Sequence, residues 1–171
     1  MKIPFVLLST VLLSALVVTG CGKKEAAGPA AGASAPAASA ATPAAPRAIE
    51  ITAGDNMKFN LATIEASAGE NLKITLTNIG TLPKEAMGHN WVLLKKGADA
   101  TAFSMAAMTA KDTDYIPAAL KDQVLAHTET IGPRKSSEVA FKAPTEPGEY
   151  TFLCSFPAHF SAGMKGVLVV K

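Results

Sequence analysis

The chain beyond about residue 48 is predicted to fold as an all-β Greek-key sandwich of about seven or eight strands with one helical insertion. Three observations predict it. Apolar and polar residues alternate with period two in short runs. Turn residues separate those runs at short intervals. One Ala- and Met-rich segment contains neither Gly nor Pro.

In order, Ala48 to Ala53 alternates and reads as a strand, closed by the turn Gly54-Asp55-Asn56. Met57 to Leu61 alternates again and Thr63 to Ala66 extends it. After Ala68-Gly69-Glu70-Asn71, the run Leu72 to Asn78 has the cleanest period-two pattern in the chain. Ile79 to Ala86, with Gly80 and Pro83, reads as a loop. Met87 to Lys95 reads as a strand in which His89, Trp91 and Leu93 share one face.

Ala98 to about Lys111 is the helix, with Phe103, Ala106 and Ala107 marking its inner face at i, i+3, i+4. Met105 and Met108 are assigned to core or groove packing rather than to a methionine metal box. Asp112 to Asp122 is irregular. Val124 to Thr128 is a short strand in which His127 faces away from Leu125, reading as exposed and not as a ligand. Ser136 to Lys142 places Val139 and Phe141 on one face. Gly148 to Cys154 places Tyr150, Phe152 and the Cys154 thiol on another. Gly166 to Val170 is the last strand.

The N-terminus carries different signals. Met1-Lys2 is followed by the apolar run Ile3 to Val18, the pattern of a secretory leader. That run ends in Val18-Thr19-Gly20-Cys21, which resembles a bacterial lipobox. Residues 1–20 are therefore expected to be a lipoprotein signal peptide, with Cys21 lipidated. The competing reading is an ordinary leader with an incidental cysteine. Residues 21–47 are almost entirely Ala, Pro, Gly and Ser and cannot bury enough apolar surface to fold. They read as a tether able to span on the order of 80 Å when extended, either a plain spacer or one that lets the domain at 48–171 reach partners. That domain holds twelve Lys and Arg against thirteen Asp and Glu, a net charge of −1. It offers no net basic surface, and nothing in it suggests nucleic acid.

The chain has two cysteines. With Cys21 lipidated, Cys154 has no partner, so in an oxidising compartment it needs burial or a metal. Cys154, His159 and Met164 lie together in one short loop between two strands, interrupted by Pro157 and Gly163. Thiolate, imidazole and weak thioether are blue-copper ligands. What that loop lacks is a second imidazole. His89 is the candidate for it, against the alternative of a hydrogen-bonded core histidine.

Three segments then carry a family resemblance: Asp55 to Asn60, Leu82 to Leu93, and Cys154 to His159 with Met164-Lys165-Gly166. Val124 to Gly132 adds a fourth. The domain resembles the cupredoxins, and among them the azurins. The lipobox and tether make it similar to lipid-anchored azurins of bacterial outer membranes. The resemblance implies one type 1 copper held by His89, Cys154 and His159, with Met164 as the axial ligand and the Gly88 carbonyl opposite. It implies that Asn90 hydrogen-bonds toward Ser155 and that Trp91 lies in the core.

It also implies an apolar patch of Met57, Leu82, Met87, Phe156, Pro157, Ala158 and Phe160, suited to brief docking. Two departures stand out. One extra residue separates His159 from Met164, as in auracyanin-like cupredoxins, and the azurin disulfide is missing. The expected function is single-electron transfer, not catalysis, with the domain in the periplasm or at the cell surface. The partners would be a c-type cytochrome, a copper nitrite reductase or a peroxidase, and the N-terminal lipid would engage the membrane, the outer one by family analogy. The alternatives are a copper-holding or delivery lipoprotein, and an enzyme with Cys154 as nucleophile and His159 as base.

Overall fold

The computed structural model describes residues 45–171. The expected leader, Cys21 and nearly all of the tether lie outside the described residues. The strands follow as β1 (Arg47–Ala53), β2 (Thr63–Ala66), β3 (Asn71–Asn78), β4 (Val92–Leu94), β5 (Val124–His127), β6 (Ser136–Lys142), β7 (Gly148–Leu153) and β8 (Lys165–Val170). Two helices interrupt them, α1 (Lys84–Met87) and α2 (Ala100–Ala107).

One sheet has the order β1-β3-β6 and the other β2-β8-β7-β4-β5. The pairs β1–β3 and β2–β8 are parallel, and β3–β6, β4–β5, β4–β7 and β7–β8 are antiparallel. The alternation of β3 turns Leu72, Ile74 and Leu76 into the main core, where Trp91, Leu93, Tyr150, Phe152 and Leu168 meet them. Trp91 packs against Phe152 at 5.5 Å and Phe141 at 5.8 Å between ring centroids. Cys154 and Met164 belong to this same cluster.

A second cluster accounts for the continuous apolar run of β4 and for Leu153 at the end of β7. Val92, Leu94 and Leu153 point away from the main core and pack with Phe103 and Ile116. The helical insertion thus helps cover the outer face of the larger sheet, which leaves both faces of β4 dry. Asp99 caps α2, its Oδ1 accepting from the N–H groups of Thr101 and Ala102 at 2.9 and 3.0 Å. Of the expected inner face, Phe103 and Ala107 are buried and Ala106 is only half-buried. Met105 and Met108 are 67% and 55% exposed, which puts them outside the core and on a groove wall.

Other differences have local causes. The expected strand Met57–Leu61 reduces to a single bridge between Ala53 and Phe59, because Met57 closes a tight turn at φ 53° with its N–H on the Gly54 carbonyl at 3.0 Å. The expected loop Ile79–Ala86 ends in one helical turn beginning after Pro83. The irregular stretch Asp112–Asp122 contains 3₁₀ turns, and Asp114 and Tyr115 both take positive φ. Leu125 and His127 share the outward face of β5, and Ala126 between them is buried. His127 is exposed as expected, but it does not turn away from Leu125.

Gly166 marks a close approach. A Cβ there would lie 2.3 Å from the Phe152 ring and 2.4 Å from the Ala62 carbonyl oxygen.

Candidate metal centre

Two loops at one end of the sandwich build the site. The first is Gly88-His89-Asn90, ahead of β4. His89 is not in the strand itself. It pairs with Ile131 in an isolated bridge, its N–H donating at 3.1 Å and its carbonyl accepting at 2.8 Å. The extended backbone preserves the alternation, so His89 and Trp91 are both fully buried. Gly88 lets the segment pack closely: a Cβ would meet the Lys84 carbonyl at 2.8 Å and Thr130 Cγ2 at 2.9 Å.

The second loop joins β7 to β8. Its ends are tied by the Cys154 N–H on the Met164 carbonyl at 3.1 Å. Within it, the His159 N–H reaches the Phe156 carbonyl at 3.1 Å and the Met164 N–H reaches the His159 carbonyl at 2.9 Å. Cys154 and Met164 are fully buried, and His159 is 2% exposed. The donor atoms of His89, Cys154 and His159 all lie within 4.8 Å of one another. Cys154 Sγ is 3.4 Å from His159 Nδ1. The rings of His89 and His159 sit 4.9 Å apart, and Phe156 covers His159 at 4.8 Å.

Asn90 joins the two loops. Its Oδ1 accepts the Ser155 N–H at 2.8 Å, and its Nδ2 donates to Ser155 Oγ at 2.8 Å and to the Asp114 carbonyl at 2.9 Å. The link to Ser155 follows the family resemblance. Asp114 was not legible, because nothing local marks a backbone carbonyl in an irregular loop. Thr130 Oγ1 donates to the same carbonyl at 3.2 Å.

The cluster fits a metal. Both ring nitrogens of His89 are buried without a hydrogen-bond partner. Leaving such groups unpaired costs about 1–3 kcal/mol each, and coordination by a cation removes that cost for the nitrogen it binds. Burial pushes the Cys154 thiol up to about 12, although the N–H groups of Asn90 and Phe156 oppose the shift. Burial, then the neighbouring His89, pushes His159 down to about 4. Burial also lowers His89, with Asp55 pulling the other way. Without metal the site therefore holds a neutral thiol and neutral imidazoles at pH 7. Binding a soft cation must displace the thiol proton.

The same shifts fix a pH dependence. His159 takes up its proton near 4 in the metal-free fold, against 6.5 for a free side chain. Between those values the unfolded chain binds more protons than the native one. Stability of the metal-free protein is accordingly full above about pH 6.5 and falls as the pH drops toward about 4. Denaturant midpoints measured on metal-free protein across that window check this; a flat profile contradicts it.

Thiolate with two imidazoles suits zinc as well as copper. Comparison with known proteins decides between them. Residues 46–171 match the model of the copper binding proteins, plastocyanin/azurin family. The chain belongs to that family. An azurin from Pseudomonas chlororaphis is 39% identical over 127 residues, covering 72% of this chain and 97% of that protein. Auracyanin-B of Chloroflexus aurantiacus is 41% identical over a shorter stretch, 48% of this chain and 35% of that protein.

The structure of reduced auracyanin from Roseiflexus castenholzii superposes with a TM-score of 0.66 at 35% identity, covering 74% of this chain and 98% of that one. An azurin from Methylomonas sp. strain J gives 0.65 at 32% identity, covering 74% and 99%. The cofactor of this cupredoxin is thus copper, and its His-Cys-His cluster is consistent with a type 1 site.

Of the expected apolar patch, Leu82 is 43% exposed and Ala158 is exposed. Met57, Met87, Pro157 and Phe160 are half-buried, and Phe156 is mostly buried. Met105 of α2 and Met108, the residue that caps its C-terminus, extend it, lining a groove with Phe156, Ala158 and Phe160.

Proposed function

We propose that the chain is a blue-copper electron carrier, anchored to a bacterial membrane through lipid on Cys21. His89, Cys154 and His159 would be the main donors to the metal, Met164 would add a weak thioether donor, and the Gly88 carbonyl would be a further oxygen donor. Bound copper supplies a one-electron Cu(II)/Cu(I) couple. The chain's own part is to hold both oxidation states in nearly one geometry, since Asn90 fastens the two ligand loops together.

The observation that carries this reading is closure. His89, Cys154, His159 and Met164 are all buried, backbone hydrogen bonds tie Cys154 and His159 to Met164, and the Asn90 side chain ties the Cys154 loop to the His89 loop. A thiol pushed to about 12 is also a poor nucleophile at pH 7. Both points oppose the enzyme alternative. The apolar surface around Leu82, Ala158, Met105 and Met108 suits the small, weak interfaces of redox encounters. A c-type cytochrome, a copper nitrite reductase or a peroxidase in the periplasm would use it, with the anchor in the outer membrane.

A visible spectrum with redox titration of the copper-loaded protein is the test. An intense blue band that disappears and returns reversibly is expected, and a colourless Cu(II) complex defeats the reading. Rapid transfer of copper to an apo-acceptor, without redox cycling, would favour delivery instead. Cys21→Ala is expected to move the protein from the membrane fraction to the soluble fraction. Retention in the membrane rejects the lipid anchor.

A further inference from the structure

Met164 is the last residue of a loop whose first half is fixed from within. The Ala162 N–H donates to the Ala158 carbonyl at 3.0 Å, and the Gly163 N–H to the Phe160 carbonyl at 2.9 Å. The peptide between Ala162 and Gly163, whose N–H is the Gly163 donor, is also held from outside the loop. Its carbonyl accepts a hydrogen bond from Lys58 Nζ, a residue 104 positions away in sequence. We propose that Lys58 is a positioning residue for the metal centre, pinning the Ala162–Gly163 peptide and through it the place of the Met164 thioether.

Three features make the contact more than an incidental surface pair. The backbone of Lys58 is itself fixed, since it follows Met57 at φ 53° and its N–H meets Asn56 Oδ1 at 3.3 Å. The ammonium lies against the glycine: a Cβ on Gly163 would fall 2.5 Å from Nζ. Gly163 also takes φ 93°, which favours glycine, so this residue both makes the turn and leaves room for the lysine. Finally, a second cation holds the other half of the loop. Lys165 Nζ sits 4.5 Å from the centre of the Phe160 ring. The loop between His159 and Met164 is thus gripped at Phe160 from one side and at Ala162 from the other.

A charge-assisted bond fixes a peptide more firmly than a neutral one. Lys58 is exposed, so its contribution to global stability is small. Its contribution to one peptide plane is not, because the next residue carries the thioether. The ligand geometry is therefore expected to respond to Lys58 while the fold does not.

The inference rests on the axial role proposed for Met164. The experiment compares detergent-solubilised full-length wild type with Lys58→Leu, Lys58→Arg and Met164→Leu. In Lys58→Leu, amide exchange at Gly163 and Met164 of the metal-free protein should quicken at least about tenfold with an unchanged thermal midpoint. The intensity ratio of the copper-loaded visible bands should change, and Lys58→Arg should restore both. Unchanged exchange and band ratio in Lys58→Leu overturn the proposal, including the case where only the potential moves, since removing a charge does that by itself. A Met164→Leu variant with wild-type potential and bands would instead remove the axial role on which the inference depends.

Discussion

Cys154→Ser is expected to abolish the blue colour completely and to weaken Cu(II) binding by more than about a hundredfold. The reason is specific to sulfur. A serine hydroxyl does not ionise near neutral pH and offers none of the soft thiolate character that copper prefers here. Truncation of outer-shell partners around metal ligands costs 10–100-fold, and Cys154 is proposed as a direct ligand. The metal-free fold should survive. The residue is small, fully buried and flanked by the N–H groups of Asn90 and Phe156, which a hydroxyl can accept as the thiol does.

Stability with and without metal separates these effects. Wild type with copper at about a thousand times its Kd should gain about 4 kcal/mol by mass action, and Cys154→Ser should gain almost none under the same conditions. A variant that stays blue removes Cys154 from the site. A variant that fails to fold without metal shows that the thiol serves the core first.

Much of this site was legible because its residues announce themselves through local pattern. Tyr150, Phe152 and Cys154 alternate, and all are buried where that alternation puts them. His89 was placed by the same parity even though it lies outside the regular strand. Parity survives because the chain from His89 into β4 stays extended, and extension, not ladder pairing, sets which way a side chain faces. Met105 and Met108 show the limit. Both carry apolar side chains at helical spacing and look like candidates for burial. Only the tertiary neighbours decide: Phe103 packs with Val92 and Leu94 of β4, and Ala107 joins the main core.

The contacts that hold the site together were the least readable. Asn90 reaches Asp114 through a backbone carbonyl, and Lys58 reaches Ala162 the same way. A carbonyl carries no residue identity, so composition cannot flag it as an acceptor. The positive φ values at Asp114 and Tyr115 that aim one of these carbonyls arise in a stretch without glycine, where sequence gives no warning of a left-handed turn.

Asn90→Ala is expected to destabilise the metal-free protein by about 3–5 kcal/mol. The side chain is fully buried, and its loss strands the Ser155 N–H and the Ser155 hydroxyl and takes one of two donors from the Asp114 carbonyl. Each buried group left without a partner costs about 1–3 kcal/mol. The Asp114 carbonyl retains Thr130 Oγ1, which moderates the total. In a domain of this size the change lowers the thermal midpoint by roughly 10–20 °C.

Ser155→Ala should cost far less, since only the hydroxyl contact disappears and the backbone N–H still reaches Asn90 Oδ1. Denaturant titration of both variants and their double mutant isolates the pair, for which a coupling of about 1–2 kcal/mol is expected. Copper release should quicken in Asn90→Ala and stay near wild type in Ser155→Ala, because the N–H bond is what keeps the Cys154 loop against the His89 loop. If Asn90→Ala falls within about 1 kcal/mol of wild type, the two loops are held by packing alone, and rigidity of the site has to be sought in Phe156 and the β7–β8 ladder.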